Sequence, residues 1–284
     1  MKHFFLLIFS AITLSVCSAQ NQSSLLWKIS GNNLKSPSYI FGTFHLLCAD
    51  DLKLPDTLLS IIHQSKQVFF EIKLDDPDMN RKVQQMITMK DGHKLNDFIK
   101  SADYDSVSSI FQSKTKVPLS FVTSYKPYLL VPLLYQSMLG CMPVGFELEL
   151  QKVAKQNATP IYGLETLEYQ MQIFDSIPYE QQAKMLVKNL LEFDESKKDL
   201  QKMIALYKRK NIDEINSDVK DDKDFGEFEE MLLNIRNRNW IPIISNAVET
   251  MPSFFAVGAG HLGGTKGVLN LLKTKGYNIT PIFY

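Results

Sequence analysis

The chain carries one short unit twice, and that duplication limits what it can fold into. Tyr39-Ile40-Phe41-Gly42-Thr43-Phe44-His45 lies near the amino end, and Phe254-Phe255-Ala256-Val257-Gly258-Ala259-Gly260-His261 near the carboxyl end. Each is an apolar, strand-like run that breaks at a glycine and presents a histidine three residues later. Each is followed by an amphipathic helical pattern and then another apolar run. Glycine lets the chain leave a strand sharply, and imidazole can take a metal or a proton near neutral pH. Two such units in one sheet would bring His45 and His261 to one edge, where a reaction centre is expected.

The remaining pattern supplies the rest of that sheet. Residues 25–29 and 39–42 read as a hairpin across Gly31-Asn32-Asn33. A helix starts at Pro55-Asp56, with Leu58, Leu59, Ile61 and Ile62 at helical spacing. Residues 67–72 form a buried-strand run, 159–163 a short strand, and 254–257 and 279–283 the closing strands. Helical patterns fill 77–155, with breaks near Asp91-Gly92, Lys116-Val117-Pro118 and Met142-Pro143, and resume over 167–250. The charge-rich part, 197–224, reads as exposed helices and a mobile turn. The expected fold is therefore α/β. A central mixed sheet is assembled from two strand-Gly-x-x-His-helix-strand halves, with a helical cap inserted at about 77–250. Ligands of open α/β sheets sit at the carboxyl ends of the strands, where both histidines would point.

Export is the expected destination. Met1-Lys2-His3 is basic, 4–16 is apolar, and Cys17-Ser18-Ala19 is small, the order of a signal peptide cut after Ala19. That leaves 20–284 as one mature domain. A buried amino-terminal helix is the plain alternative, and lipid attachment at Cys17 a further one that the bulky Val16 disfavours. The longest later apolar stretch, 127–139, is interrupted by Pro132 and Gln136, so no membrane span is expected in the mature chain. After removal of the signal, Cys48 and Cys141 remain: a disulfide candidate in an oxidising compartment, or two separate buried thiols. The 31 basic and 31 acidic residues cancel, which gives no reason to expect nucleic acid as a partner. Oligomeric state is open.

Several residues could carry chemistry. His3 leaves with the signal, and His63 and His93 read as surface residues. Glu71 ends a run, Val68-Phe69-Phe70, that should be buried, where a carboxylate is costly unless paired or metal-bound. It is a metal ligand, the base that activates water, or a salt-bridged strand end. Glu147 opens a helix, a place that suits any acid, so position alone does not separate it from Glu149. Glu165 follows a short strand and could cap the next helix or orient a ligand from behind. Arg236 and Asn237 lie on a helix leading to the second unit, either stabilising an oxyanion or forming a solvated face. His45, His261, Glu71 and Glu147 make a candidate set for a divalent ion, and nitrogen with carboxylate suits zinc, manganese or cobalt. The chain has neither His-Glu-x-x-His nor Gly-x-Ser-x-Gly.

Taken in order, these residues resemble the TraB/GumN family, which includes the TIKI membrane-associated metalloproteases of animals. The resemblance runs through Gly42-x-x-His45, Phe70-Glu71, Glu147, Gly163-Leu164-Glu165-Thr166 with Gln170, and Arg236-Asn237-x-x-Trp240. It closes with Val257 to Gly264, Gly267-Val268-Leu269, Leu272 and Gly276-Tyr277. It implies a fold akin to erythromycin esterases and ChaN-like haem-binding proteins, with the two Gly-x-x-His units and a glutamate as the active site. For the TIKI branch it implies metal-dependent peptide cleavage. The expectation is a secreted metal-dependent hydrolase acting on a peptide or small molecule. The rival is a non-catalytic protein that sequesters a peptide, a metal or haem.

Overall fold

The computed structural model describes residues 24–222 and 226–284. The expected signal segment, its cut after Ala19 and the alternative at Cys17 lie outside the described residues. The strands are β1 (Leu26–Gly31), β2 (Ser38–Thr43), β3 (Leu47–Cys48), β4 (Gln67–Ile72), β5 (Pro143–Val144), β6 (Ile161–Glu165), β7 (Ser253–Gly258) and β8 (Tyr277–Ile282). Six form one mixed sheet in the order β6-β4-β7-β2-β1-β8. β6, β4, β7 and β2 are mutually parallel, while β1 runs antiparallel to both β2 and β8. The protein is thus α/β with a mixed sheet, and the two ends of the chain meet at its centre, where β2 lies beside β7.

The sequence explains this order locally. The β1–β2 turn needs positive φ at Gly31, Asn32 and Asn33, and glycine and asparagine tolerate that region best. β4 and β7 lie in the middle of the sheet, covered on both faces. Accordingly they read as near-continuous apolar runs, with every residue of β7 buried. Phe69 and Phe255 stack across the β4–β7 pair with ring centroids 5.1 Å apart.

The inserted helical region is more broken than the pattern implied. It contains Met79–Met86, Ser101–Thr115, Tyr135–Leu139 and Phe146–Gln156 before β6. After β6 come Leu167–Asp175, Tyr179–Leu191, Phe193–Lys208, Ile212–Asp221 and Ile235–Thr250. Asp91 and Lys116 interrupt the first group with positive φ at two of the expected breaks, and Gly140 does so just before the third. A second apolar cluster, including Val107, Phe111, Leu130, Leu134, Leu186 and Leu190, gives this region a core of its own.

Two features differ from the sequence reading. β3 and β5 form a separate ladder, pairing Leu47 with Val144 and Cys48 with Pro143; two-residue strands carry too little periodicity to be read. The charged segment expected to be simply exposed turns an apolar face inward. Ile204, Leu206, Tyr207, Ile212 and Ile215 are buried, because helical spacing separates them from the charges around them.

Candidate active site

The site is built from the carboxyl ends of four neighbouring parallel strands. Crossing the sheet from its β6 edge, these ends carry Glu165, then Glu71, then the Gly258-x-x-His261 turn, then the Gly42-x-x-His45 turn. Register fixes this row: Ile72 pairs with Glu165, Phe70 with Ala256, and Thr43 with Gly258. Sequence positions 215 apart thereby become neighbours, as the duplicated motif implied.

The glycines serve a purpose other than the expected one. Neither Gly42 nor Gly258 has positive φ, so neither is needed for a special turn. They are needed for space. A Cβ on Gly42 would lie 2.8 Å from Leu262 Cδ1 and 3.1 Å from Ala259 Cα, which packs the first turn against the second. A Cβ on Gly258 would lie 3.2 Å from Glu71 Oε1, and 3.6 Å from both His261 Cδ2 and His45 Nε2. The two rings can therefore be no further apart at those atoms than twice that distance.

His45 is held from behind by a carboxylate. Its Nδ1 is 2.8 Å from Glu147 Oε1, and the Thr43 hydroxyl donates to the same oxygen at 2.6 Å. The β3–β5 ladder and a disulfide between Cys48 and Cys141, with α-carbons 5.8 Å apart, tie the His45 loop to the start of the Glu147 helix. Glu149 instead pairs with Lys152 at the surface. Burial alone would lower the His45 pKa, but the Glu147 hydrogen bond, the charge of Glu147 and that of Glu71 outweigh it and push it up to about 9. The side chain is nonetheless 68% exposed, so water screens part of that attraction. Burial raises the Glu147 carboxyl, while His45 and Thr43 more than reverse this and hold it below the usual range.

His261 is held differently. It is buried, and Asn237 Oδ1 is 2.6 Å from its Nδ1. Asn237 Nδ2 donates to the Lys266 carbonyl, which turns its oxygen toward the ring and places the proton on Nδ1. Nε2 therefore accepts, and Arg236 Nη1 donates to it at 3.1 Å. The Trp240 ring covers the imidazole at 4.4 Å. Burial first, then the Arg236 charge, push its pKa down to about 3.

Arg236 is the hub, and its helix face is buried rather than solvated. Its Nη2 donates to Glu71 Oε2 and to Glu165 Oε1, each at 2.6 Å, and Nε donates to Glu165 at 3.0 Å. Trp240 Nε1 and Gln170 Nε2 also donate to Glu165. A π-helical turn, Glu230–Asn234, directly precedes this helix, and its Leu232 carbonyl accepts from Arg236 Nη1. Glu71 takes further bonds from Gln170 and from the Gly258 backbone N–H. Burial would raise its pKa, but Arg236, the two histidines and the Gly258 N–H hold it well below the usual carboxylate range.

Above this floor lies a cavity of about 380 Å³, with His45, Arg236, Gly258 and His261 at its base and mostly apolar walls. The walls come from Phe193–Lys208, Ile212–Asp221 and the π-helical turn, none of which the motifs marked. One signal was present: Leu200, Met203, Ile204 and Tyr207 fall at helical spacing amid charges. Thr43 was also missed, having no distinguishing pattern beyond its place inside the first unit. His63 and His93 are exposed, away from the cavity.

The candidate metal set is only partly convergent. His45 Nε2 and Glu71 Oε1 face the space beside Gly258, and His261 Nε2 lies 3.7 Å from that Glu71 oxygen but accepts from Arg236. Glu147 points at the far side of His45. Among the described residues, no three His, Cys, Asp or Glu side chains stand together at metal-holding distances.

The family model of the TraB/PrgY/gumN family matches residues 25–281. That is nearly the whole chain, and the protein belongs to this family. No curated protein and no solved structure matches it. No helix among the described residues is long and apolar enough to cross a membrane.

Proposed function

We propose that this family member is a hydrolase that cleaves a peptide or small-molecule bond at the cavity floor, with His45 as the proton-transferring group. One observation carries the reading. The His45 imidazole is fixed through Nδ1 by the Glu147 carboxylate, while its Nε2 faces the cavity beside Glu71. A histidine oriented from behind by a carboxylate is poised to transfer protons. Its raised pKa favours the cationic form, which can protonate a leaving group. Arg236, held ionised between Glu71 and Glu165, supplies fixed positive charge to the floor, where an oxyanion would be stabilised. Glu71 Oε1, beside the same space, can orient a water molecule.

A divalent ion would take the space beside Gly258, with His45 Nε2 and Glu71 Oε1 as its first donors. Its contribution there would be to acidify a bound water. His261 could join only if Arg236 released its Nε2. Export is part of the same proposal, and the Cys48–Cys141 disulfide supports it, since such bonds persist mainly in oxidising compartments. The mostly apolar cavity with two histidines at its base also supports a second reading, a protein that holds a ligand without turnover.

The test is a digest of a defined peptide mixture by purified protein, with chelator and with added zinc, manganese or cobalt, beside His45→Gln. Cleavage that falls about 10²-fold or more in His45→Gln is the expected result. Full activity in that variant would remove His45 from the chemistry, and no cleavage under any condition would leave the ligand-holding reading. Glu71→Gln separates the roles of Glu71. Loss of bound metal with activity marks a ligand, loss of activity alone marks a base, and lost stability with intact activity marks an anchor.

A further inference from the structure

We propose that the substrate is a peptide that seats a large aliphatic or aromatic side chain beside the reacting bond. This rests on the hydrolase reading and adds the substrate class. Most of the wall over the floor is apolar, formed by Phe44, Met203, Tyr207, Ile215, Val219 and Leu233, while Asp218, paired with Lys202, and Asp222 also line it. It closes directly above the second turn: a Cβ on Gly260 would lie 3.9 Å from Val219 Cγ2 and 4.0 Å from Leu233 Cδ1. Phe44 and Tyr207 pack with ring centroids 5.3 Å apart. The Tyr207 hydroxyl already donates to the Gly42 carbonyl at 3.0 Å, so Tyr207 lines the cavity mainly as an aromatic surface. A polar side chain entering here would lose water and gain few partners, whereas an apolar one would exchange water for packed carbon. The volume of about 380 Å³ falls in the range of small-ligand pockets.

The cleft then changes character. A second cavity of about 470 Å³ adjoins the first, with Tyr135, Phe174, Asp222 and Leu232 lining both. Its lining is mixed, adding Lys188, Glu192, Glu195 and Asp199 to apolar side chains such as Ile177 and Met185. A long hydrocarbon chain reaching from the floor would lay its tail against charged side chains as well as apolar ones. A peptide can put an apolar side chain near His45 and polar backbone and side chains beyond it. The change from a mostly apolar lining to a mixed one that carries charges of both signs favours the peptide over a fatty acyl group.

The experiment uses the full chain and three blocked peptides that differ at one residue next to the cleaved bond: alanine, leucine or phenylalanine. The leucine and phenylalanine peptides should exceed the alanine peptide in kcat/KM by about tenfold or more. Val219→Phe, which narrows the wall, should cut that preference by about tenfold while its melting temperature shows a folded protein. Equal rates for all three peptides, or a folded Val219→Phe that lowers all three alike, would overturn the proposal. A dodecanoyl ester cleaved faster than every peptide would also overturn it. Calorimetric binding of the same peptides to His45→Gln separates the two readings. If the wild type cleaves none of them and leucine still binds tenfold tighter than alanine, hydrolysis falls and the apolar subsite stands. Equal or absent binding removes the subsite as well.

Discussion

The two Gly-x-x-His turns lie side by side on parallel strands, yet they hold their histidines in opposite states. His45 is open to the cavity, backed by a carboxylate, and drawn toward the cationic form. His261 is buried under Trp240, backed by an amide, and capped at Nε2 by a guanidinium that keeps it neutral. The difference comes from the neighbours. The first turn meets Glu147, brought in by the β3–β5 ladder and the disulfide, and the second meets Arg236 and Asn237 from the helix before β7. A duplicated motif sets where two imidazoles go, and the elements packed on each set what they can do. Groups whose surroundings push their pKa values apart divide acid and base roles between them, which on the proposed hydrolase reading makes His45 the reactive member and His261 the positioning one.

The largest expected effect breaks the buried half of this comparison. Arg236→Met leaves Glu71 and Glu165 as unpaired carboxylates in places where their side chains are 9% and 4% exposed. Removing one partner of a buried ion pair costs about 3–5 kcal/mol, measurable by urea unfolding. The same change should raise the His261 pKa, since the nearest repelling charge is gone. If stability holds within about 1 kcal/mol, Arg236 is not the anchor of the site.

A proton titration of each imidazole by nuclear magnetic resonance, in metal-free protein, sharpens the contrast. His45 should titrate above the ordinary histidine value of 6.5, and His261 should stay neutral down to acidic pH, near 3. The consequences for stability have opposite signs. The raised pKa of His45 gives stabilisation that is complete below pH 6.5 and lost as pH climbs through that raised value. The depressed pKa of His261 gives stabilisation present above pH 6.5 and lost as pH falls toward about 3, because the unfolded chain takes the proton first. In the acid window His261 should contribute a slope of up to about 1.4 kcal/mol per pH unit. Equal pKa values for the two rings would erase the distinction.

Much of this site could be read before the fold was known, for a physical reason. β2, β4 and β7 are central strands with continuous apolar runs, and a polar residue ending such a run is conspicuous; His45, Glu71 and His261 all follow that rule. Glu147 and Arg236 were harder, because an acid at a helix start or an arginine on a helix has ordinary explanations that only tertiary contacts exclude. Thr43, Tyr207 and the cavity wall were not legible. A threonine between a glycine and a histidine carries no pattern. The wall residues of Phe193–Lys208 are masked by the lysines and acids on the opposite face of the same helix. The β3–β5 ladder, two residues long, is set by what lies across from it rather than by its own composition.

The smallest expected effect tests whether the cap and the first turn are mechanically joined. Tyr207 reaches from the cap helix to the end of β2, where its hydroxyl donates to the Gly42 carbonyl. Burial holds that hydroxyl in its neutral, donating form by raising its pKa well above the ordinary value. Tyr207→Phe keeps the ring and its packing on Phe44 but leaves the carbonyl without this donor, a loss of about 0.5–1.5 kcal/mol. Because Gly42 leads directly into His45 and not into His261, the loosening should fall on one side of the comparison. The His45 signal should broaden or shift in its titration while that of His261 stays in place. A stability loss with both imidazoles unmoved would make Tyr207 part of the wall alone, and the cap would then shape the cavity without steering the histidine beneath it.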